Sequence, residues 1–269
     1  MKEEKSFYIP DDGKGCLLSI AAEENITDNY RSILMQIVED ILEETDRNVE
    51  SIVLRGSLAY GGFIEGISDL DLVIFPAKNA DLSKERLGKL AAEESQRYKE
   101  LFSLVDLSVE QIDRIGYDWT CNRLWLNLKL TGITIYGEDL LKNLPVCIKG
   151  KGLSDDIFRQ TIKDSEECLE WISQKKKMHY MGEERGADFL CVWFMRNIIR
   201  GFGAVILQKK NIFTMHLTTC CLEMSKLYPE YEELILRVWT AERSPLKRWD
   251  ELLQLCQEVL DMYRSLYQL

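Results

Sequence analysis

The stretch Leu54-Arg55-Gly56-Ser57, followed by Asp69-Leu70-Asp71, decides how this sequence of 269 residues is interpreted. A Gly-Ser turn after a short apolar strand, then two aspartates one residue apart on the next strand, suits a divalent metal ion and a triphosphate. Glycine lets the backbone approach phosphate oxygens without a side-chain clash. The Ser57 hydroxyl and the following N–H groups can donate hydrogen bonds to those oxygens. The stretch therefore predicts a site for a metal-bound nucleoside triphosphate.

The two aspartates are expected to lie on one face of their strand. Side chains alternate along a strand, so Asp69 and Asp71 point one way while Leu70 and Leu72 pack on the other side. Carboxylates held close together repel each other unless a proton or a cation lies between them. Mg²⁺ takes hard oxygen ligands and commonly joins carboxylates to substrate phosphates. We therefore expect both aspartates to hold Mg²⁺, the alternative being a surface turn with two solvated carboxylates.

A third acid is expected on a neighbouring strand. Asp106 stands alone inside the apolar run 102–109, where a charge is costly unless it is paired or bound to metal. It is assigned to hold the ion and to take the proton from an acceptor hydroxyl. Two alternatives stay open: Glu110 is a rival for this role, and Asp106 can instead be the structural partner of Arg55 or another cation.

The composition excludes several classes of function. A net charge of −11 leaves no broad basic face, so a nucleic-acid partner is not expected, whereas cationic small molecules would be attracted. The eight cysteines contain no CxxC pair and only two histidines are present, which argues against zinc. Reduced thiols and the lack of an apolar signal core after Met1 indicate a cytoplasmic protein.

The most apolar segment, 187–207, is interpreted as a buried helix and not as a membrane span. Arg196 and Arg200 lie near its middle, one helical turn apart. We assign these two arginines to nucleotide binding. The alternative is structural pairing with buried carboxylates or contact with solvent.

The order of expected elements predicts an α+β fold with two domains. Strands and helices alternate up to about residue 145, which indicates an α/β unit with a small mixed sheet. Beyond Gly152 the strand signal nearly vanishes, and short connections between helices favour a bundle. The boundary is placed after residue 148, giving a first domain 1–148, with residues 1–26 as an N-terminal arm, and an all-helical domain 149–269. The helices expected in the second domain span residues 154–177, 186–209, 214–228, 230–241 and 247–267.

The pattern Gly56-Ser57, eleven residues, Asp69-x-Asp71, with Asp106 as third acid, resembles the nucleotidyltransferase superfamily of DNA polymerase β. The run 56–72 is similar in particular to the bacterial aminoglycoside (antibiotic) adenylyltransferases. The resemblance is specific over residues 50–75 and looser over residues 102–139. Beyond residue 150 it is limited to the arrangement of the expected helices. The chain departs from those enzymes in lacking their proline near Gly66 and in having Asp106 where their third acid is often a glutamate.

This resemblance implies Mg²⁺ and a nucleoside triphosphate, with ATP expected, and transfer of the nucleoside monophosphate to a hydroxyl with release of pyrophosphate. The expected acceptor is a small hydroxylated molecule, with an aminoglycoside as the leading case. One alternative is a protein or RNA acceptor, as in other branches of the superfamily. Another alternative is a nucleotide-binding regulator without turnover, although such a protein would not need Asp106.

Overall fold

The computed structural model describes residues 6–111, 123–180 and 183–267, and the chain divides into two compact units. The sheet unit comprises Leu18–Val146, and the helical unit comprises Met1–Leu17 together with Cys147–Leu269. The expected division instead ended the first domain at residue 148 and gave it the N-terminal arm. Residues 6–17 lie in the helical unit because their backbone pairs there: the Ile9 N–H donates to the Phe213 carbonyl at 2.8 Å, and Cys16 forms an antiparallel bridge with Ile148.

The sheet unit is built on four strands in the order β3-β2-β1-β4. The strands are β1 (Val49–Arg55), β2 (Leu70–Pro76), β3 (Val105–Val109) and β4 (Gly132–Gly137). β1 runs antiparallel to β2 and β4, whereas β2 and β3 are parallel. Parallel neighbours need a crossover connection, and a helix between β2 and β3 supplies it. The sheet is therefore mixed, as the sequence predicts.

Four α-helices accompany this sheet in the described part of the unit. They are α1 (Asp28–Glu44), α2 (Ser57–Tyr60), α3 (Lys84–Arg97) and α4 (Arg123–Thr131). α3 begins where the Ser83 hydroxyl accepts a hydrogen bond from the Arg86 N–H, a normal helix cap. The helix expected from residue 112 is described only from Arg123 onward, and its part over 112–122 lies outside the described residues.

Alternation along β2 divides its side chains between two apolar clusters. Leu70, Leu72 and Ile74 pack in the cluster that contains the buried stripes of α1 and α3. Val73 and Phe75 belong to a second cluster, with Trp125 of α4. Residue 71 has the same parity as residues 73 and 75, so Asp71 lies on the sheet face that α4 covers.

The described part of the helical unit contains five long helices, and one of them is buried among the other four. They are α5 (Lys151–Ser173), α6 (Ala187–Lys210), α7 (Leu217–Leu227), α8 (Glu232–Arg243) and α9 (Trp249–Leu266). α6 contacts each of the other four. Within the described residues it is the one helix long and apolar enough to cross a membrane by composition, and 78% of that apolar window is buried in the protein.

The helical unit also holds a short hairpin that the sequence does not predict, formed by β5 (Met178–Tyr180) and β6 (Glu183–Arg185). The predicted fold class, a small mixed sheet followed by a helical region, is confirmed.

Two buried carboxyl groups make stability depend on pH in opposite directions. In the sheet unit, Glu94 of α3 is 0% exposed, and its Oε1 lies 2.8 Å from Arg97 Nη1. Asp40 shares that nitrogen at 2.7 Å. Burial raises the pKa of Glu94, and the opposing charge of Arg97 does not fully offset this effect.

Replacement of Glu94 by Gln should therefore increase the free energy of unfolding most at neutral pH. A raised pKa means that the folded state favours the protonated carboxyl, so the contribution of Glu94 to stability is present below its ordinary pKa and is lost as pH rises. We expect the free energy of unfolding of Glu94→Gln, relative to wild type, to increase from pH 4 to pH 7 in urea titrations. The exposed Glu93→Gln is the control, and equal curves for both variants would contradict the assignment.

In the helical unit, Glu223 of α7 shows the opposite behaviour. Burial alone would raise its pKa, but hydrogen bonds from Lys210, Lys226 and Tyr8 outweigh burial and lower the pKa to about 2. Its contribution is therefore present above pH 4.5 and is lost as pH falls toward 2. Glu223→Gln should cost about 3 kcal/mol of unfolding free energy at pH 7 and much less at pH 3. The exposed Glu230→Gln should show no such pH dependence.

Candidate active site

Three charged side chains lie in one row across three strands of the sheet unit. Arg55, the last residue of β1, is the register partner of Asp71 on β2, and Asp71 is the register partner of Asp106 on β3. Residues in register on adjacent strands place their side chains on the same face of the sheet. The row therefore brings two carboxylates and one guanidinium together at one end of the sheet.

Both carboxylates face the same nitrogen of Arg55. Nη2 lies 2.9 Å from Asp71 Oδ1 and 3.8 Å from Asp106 Oδ2. The side chains of Arg55, Asp71 and Asp106 are 17%, 21% and 24% exposed, so the charges interact where water screens them only partly. The structural alternative for Asp106, pairing with Arg55, is thus present in the protein. The sequence predicts a cation between Asp69 and Asp71, whereas the positive charge of Arg55 lies beside Asp71 and Asp106.

The Gly56-Ser57 turn packs directly against Asp71. Gly56 has φ +82°, in the left-handed region that favours glycine, and a Cβ at this position would lie 2.9 Å from Asp71 Oδ2. Its carbonyl accepts hydrogen bonds from the N–H groups of Ala59 and Tyr60, which fixes the turn into α2. Ser57 is the first residue of α2 and is partly exposed. The turn and the row of charges are therefore one local structure.

Asp69 has a different neighbour. It lies just before β2, and its Oδ1 is 2.5 Å from the Ser103 hydroxyl, which is also 2.8 Å from the Ile67 carbonyl. This contact ties the entry of β2 to the segment that leads into β3. No sequence pattern indicates Ser103, because the contact depends on how two loops meet at the end of the sheet.

Glu110, the rival of Asp106, lies further along the sheet. β3 ends at Val109, and the Glu110 N–H donates to the Ile74 carbonyl at 3.0 Å. Four residues along a strand separate it from Asp106, a distance of about 13 Å at the usual rise. The register therefore places Asp106, and not Glu110, beside Asp71.

Arg196 and Arg200 lie on α6 in the helical unit. Arg196 Nε donates to Glu242 Oε1 at 2.8 Å, and the Glu242 side chain is 8% exposed. This ion pair is what the structural alternative for Arg196 predicts. Arg200 is partly exposed, and its positive charge acts on the buried Cys220 thiol of α7, whose pKa burial raises to about 12. Their assignment to nucleotide binding stays a prediction.

The donor set at the row of charges suits Mg²⁺ in chemistry. Among residues 6–111, 123–180 and 183–267, no three His, Cys, Asp or Glu side chains are gathered as a ready cluster for a metal ion. Asp71 and Asp106 nevertheless converge on one positive nitrogen, and carboxylate oxygens are the ligands that Mg²⁺ prefers. Asp71 and Asp106 therefore fit Mg²⁺ in the type of donor atom and in their placement around a positive charge, which Arg55 Nη2 supplies in this structure.

Comparison with known proteins agrees with this geometry. Residues 34–117, less than half of the chain, match the family model of the nucleotidyltransferase domain. That span contains the Gly-Ser turn and all three aspartates of the predicted site. This match over part of the chain confirms the resemblance that the motif predicts, and it supports a nucleotidyltransferase enzyme.

The structure is similar to that of a spectinomycin adenyltransferase from Enterococcus faecialis, crystallised with ATP and spectinomycin. The TM-score is 0.53 at 13% sequence identity, and the match covers 86% of this chain and 98% of the other. At this identity the similarity establishes a shared fold. A search of curated protein sequences gives no match.

Gly56→Ala should disturb the position of Asp71 more than it disturbs the fold. The new Cβ meets Asp71 Oδ2 at 2.9 Å, so the carboxylate has to move. We expect turnover, measured as pyrophosphate release, to fall at least about tenfold, as for other small misplacements of reacting groups. Gly66→Ala is the matched control: it has φ +71° but an ordinary 3.7 Å contact with the Glu100 carbonyl. Equal activity losses in the two variants would show that backbone strain alone is responsible.

Proposed function

We propose that the protein transfers AMP from ATP to a hydroxyl group of a small molecule, with an aminoglycoside antibiotic as the leading acceptor, in a reaction that depends on Mg²⁺. The observation that carries the proposal is the convergence of Asp71 and Asp106 on one cation beside the Gly56-Ser57 turn. The similar fold of an enzyme whose structure contains ATP and spectinomycin supports the choice of nucleotide and acceptor class.

The placement of Asp71, Asp106 and the Gly56-Ser57 turn supports the following roles. Asp69, Asp71 and Asp106 bind the metal ion, and Gly56 and Ser57 hold the triphosphate through backbone and hydroxyl donors. Arg196 and Arg200 are proposed to contribute to nucleotide binding. When bound, Mg²⁺ supplies charge neutralisation at the phosphates. The protein lowers the barrier mainly by positioning and charge stabilisation, as in other phosphoryl-transfer enzymes.

The proton of the acceptor hydroxyl goes to Asp106. The acceptor oxygen then forms a bond to the α-phosphorus of ATP, while the bond from that phosphorus to the oxygen bridging to the β-phosphate breaks. Pyrophosphate leaves with the bonding electrons. The Asp106 carboxylate can act as this base because it lies in the row of charges and is about one quarter exposed, which leaves it accessible to an acceptor.

The net charge of the protein supports the proposed acceptor class. The chain carries −11 at neutral pH, so a polycationic acceptor is attracted and a phosphate backbone is repelled. The described cysteines carry free thiols, which supports a reducing cytoplasm as the place of reaction. We propose no membrane partner.

The direct test is incubation with labelled ATP, Mg²⁺ and a panel of acceptors that includes spectinomycin, other aminoglycosides and unrelated hydroxylated drugs. Pyrophosphate release together with a labelled drug adduct is the expected result, and omission of Mg²⁺ should abolish it. Label on protein or RNA would instead select a macromolecular acceptor. ATP binding without pyrophosphate in any mixture would mean that the chain is a nucleotide-binding regulator.

Asp69→Asn should abolish turnover and leave the fold intact. The amide keeps an oxygen that can accept from Ser103, so the loop contact survives, but the negative charge needed for the metal ion is lost. We expect at least a hundredfold decrease, about the effect of removing one electrostatic group from an active site. The exposed Asp46→Asn, in the same unit, is the control. Wild-type turnover in Asp69→Asn, with unchanged circular dichroism, would exclude the assignment.

A further inference from the structure

The side chain of Arg55 lies beside two carboxylates that the proposed function assigns to the metal ion. It comes from the end of β1, immediately before the Gly56-Ser57 turn, and lies in register with Asp71 and, through it, with Asp106. One nitrogen, Nη2, interacts with one oxygen of each aspartate, at 2.9 and 3.8 Å. These are oxygens that a metal ion would use, so the guanidinium and the ion compete for them.

The guanidinium is not optimally held in this position. Arginine binds carboxylates most strongly through two parallel hydrogen bonds, whereas here one nitrogen serves both acids. Arg55 Nε is buried and has no hydrogen-bond partner among the described residues. A buried donor without a partner costs free energy. The arrangement therefore stabilises the two carboxylates but leaves the hydrogen-bonding groups of the arginine partly unsatisfied, which favours its displacement.

Charge balance distinguishes the two cations. A single positive charge neutralises only half of the two negative charges in the row, whereas a divalent ion neutralises both. Loss of Arg55 without a metal ion takes that positive charge away from two carboxylates in a partly buried place, which is unfavourable. Arg55 therefore stabilises the metal-free protein more than it stabilises the metal-bound protein.

We propose that Arg55 is an internal counter-ion that occupies the metal position in the metal-free protein and is displaced when the divalent ion binds. It thus stabilises the metal-free sheet unit and lowers its affinity for metal. Arg55 is in this sense a positioning residue that acts through Asp71 and Asp106. The inference rests on the metal site of the proposed function.

Metal binding to the full-length protein without nucleotide tests this directly. Mn²⁺ is titrated by calorimetry into wild type, Arg55→Gln, Arg55→Lys and Arg86→Gln. We expect Arg55→Gln to bind Mn²⁺ at least about tenfold more tightly than wild type, because the competing charge is gone. Arg55→Lys keeps the charge and should stay close to wild type. Arg86→Gln, which removes an exposed arginine paired with Glu44 at 2.5 Å, should not change the affinity.

Thermal unfolding gives a second readout of the same variants. Without metal, Arg55→Gln should melt below wild type, because two carboxylates lose their counter-ion. Saturating Mn²⁺ should raise its melting temperature more than it raises that of wild type. A melting temperature that is lowered equally with and without Mn²⁺ would mean that Arg55 has only a structural role, and would overturn the proposal.

A measurement on the wild-type protein covers the case in which Arg55→Gln does not fold. The Nε–H signal of Arg55 is followed by nuclear magnetic resonance during titration with Mg²⁺, and is assigned by its loss in Arg55→Lys. Displacement predicts that this signal shifts while that of Arg86 stays in place. An unchanged Arg55 signal at Mg²⁺ saturation contradicts the proposal.

The outcomes separate this inference from the proposed function. If drug adducts form but wild type and Arg55→Gln bind Mn²⁺ with equal affinity, the counter-ion role is overturned and the proposed enzyme activity is supported. If Arg55→Gln binds Mn²⁺ more tightly than wild type but no acceptor yields pyrophosphate, the counter-ion role is supported and the proposed reaction is contradicted. Absence of Mn²⁺ binding in all variants would overturn the metal position itself.

Discussion

The structure of the sheet unit depends on how two negative charges are tolerated side by side. Parallel pairing of β2 and β3 sets Asp71 directly beside Asp106, and alternation keeps both on the face that α4 covers. Apolar residues on either side of them hold the strands in this register, so the acids cannot move apart without loss of the core. The fold therefore imposes a permanent need for positive charge at this end of the sheet, and that need connects the architecture with the chemistry.

The same constraint explains why the residue that precedes α2, at position 56, is a glycine. Asp71 uses one oxygen toward Arg55 and presents the other toward the backbone at Gly56. A side chain at that position would compete for the space that the carboxylate fills. The turn and the acid are thus matched in shape, and the nucleotidyltransferase motif is a physical unit formed by two strands and the turn between them.

Much of this unit follows from the sequence. The β-branched run before Gly56, the apolar run around Asp71 and the isolated Asp106 predict three strands, and alternation predicts that their acids share a face. The fold class and the resemblance to nucleotidyltransferases are confirmed.

What the sequence does not provide are contacts between distant segments. The orientation of Arg55, the Ser103 contact of Asp69 and the hairpin β5-β6 depend on tertiary placement, which local pattern does not encode. The roles assigned to individual residues in binding and catalysis stay predictions.

The pairing of residues 6–17 with the helical unit has a consequence for biosynthesis. The sheet unit is contiguous in the chain, so all of its segments have left the ribosome before most of the helical unit is made. The stretch around Ile9 is synthesised before the sheet unit, yet its partner Phe213 is translated about two hundred residues later. The backbone around Ile9 therefore cannot pair with Phe213 until the sheet unit and much of the helical unit have been synthesised, so its docking is a late step in forming the helical unit.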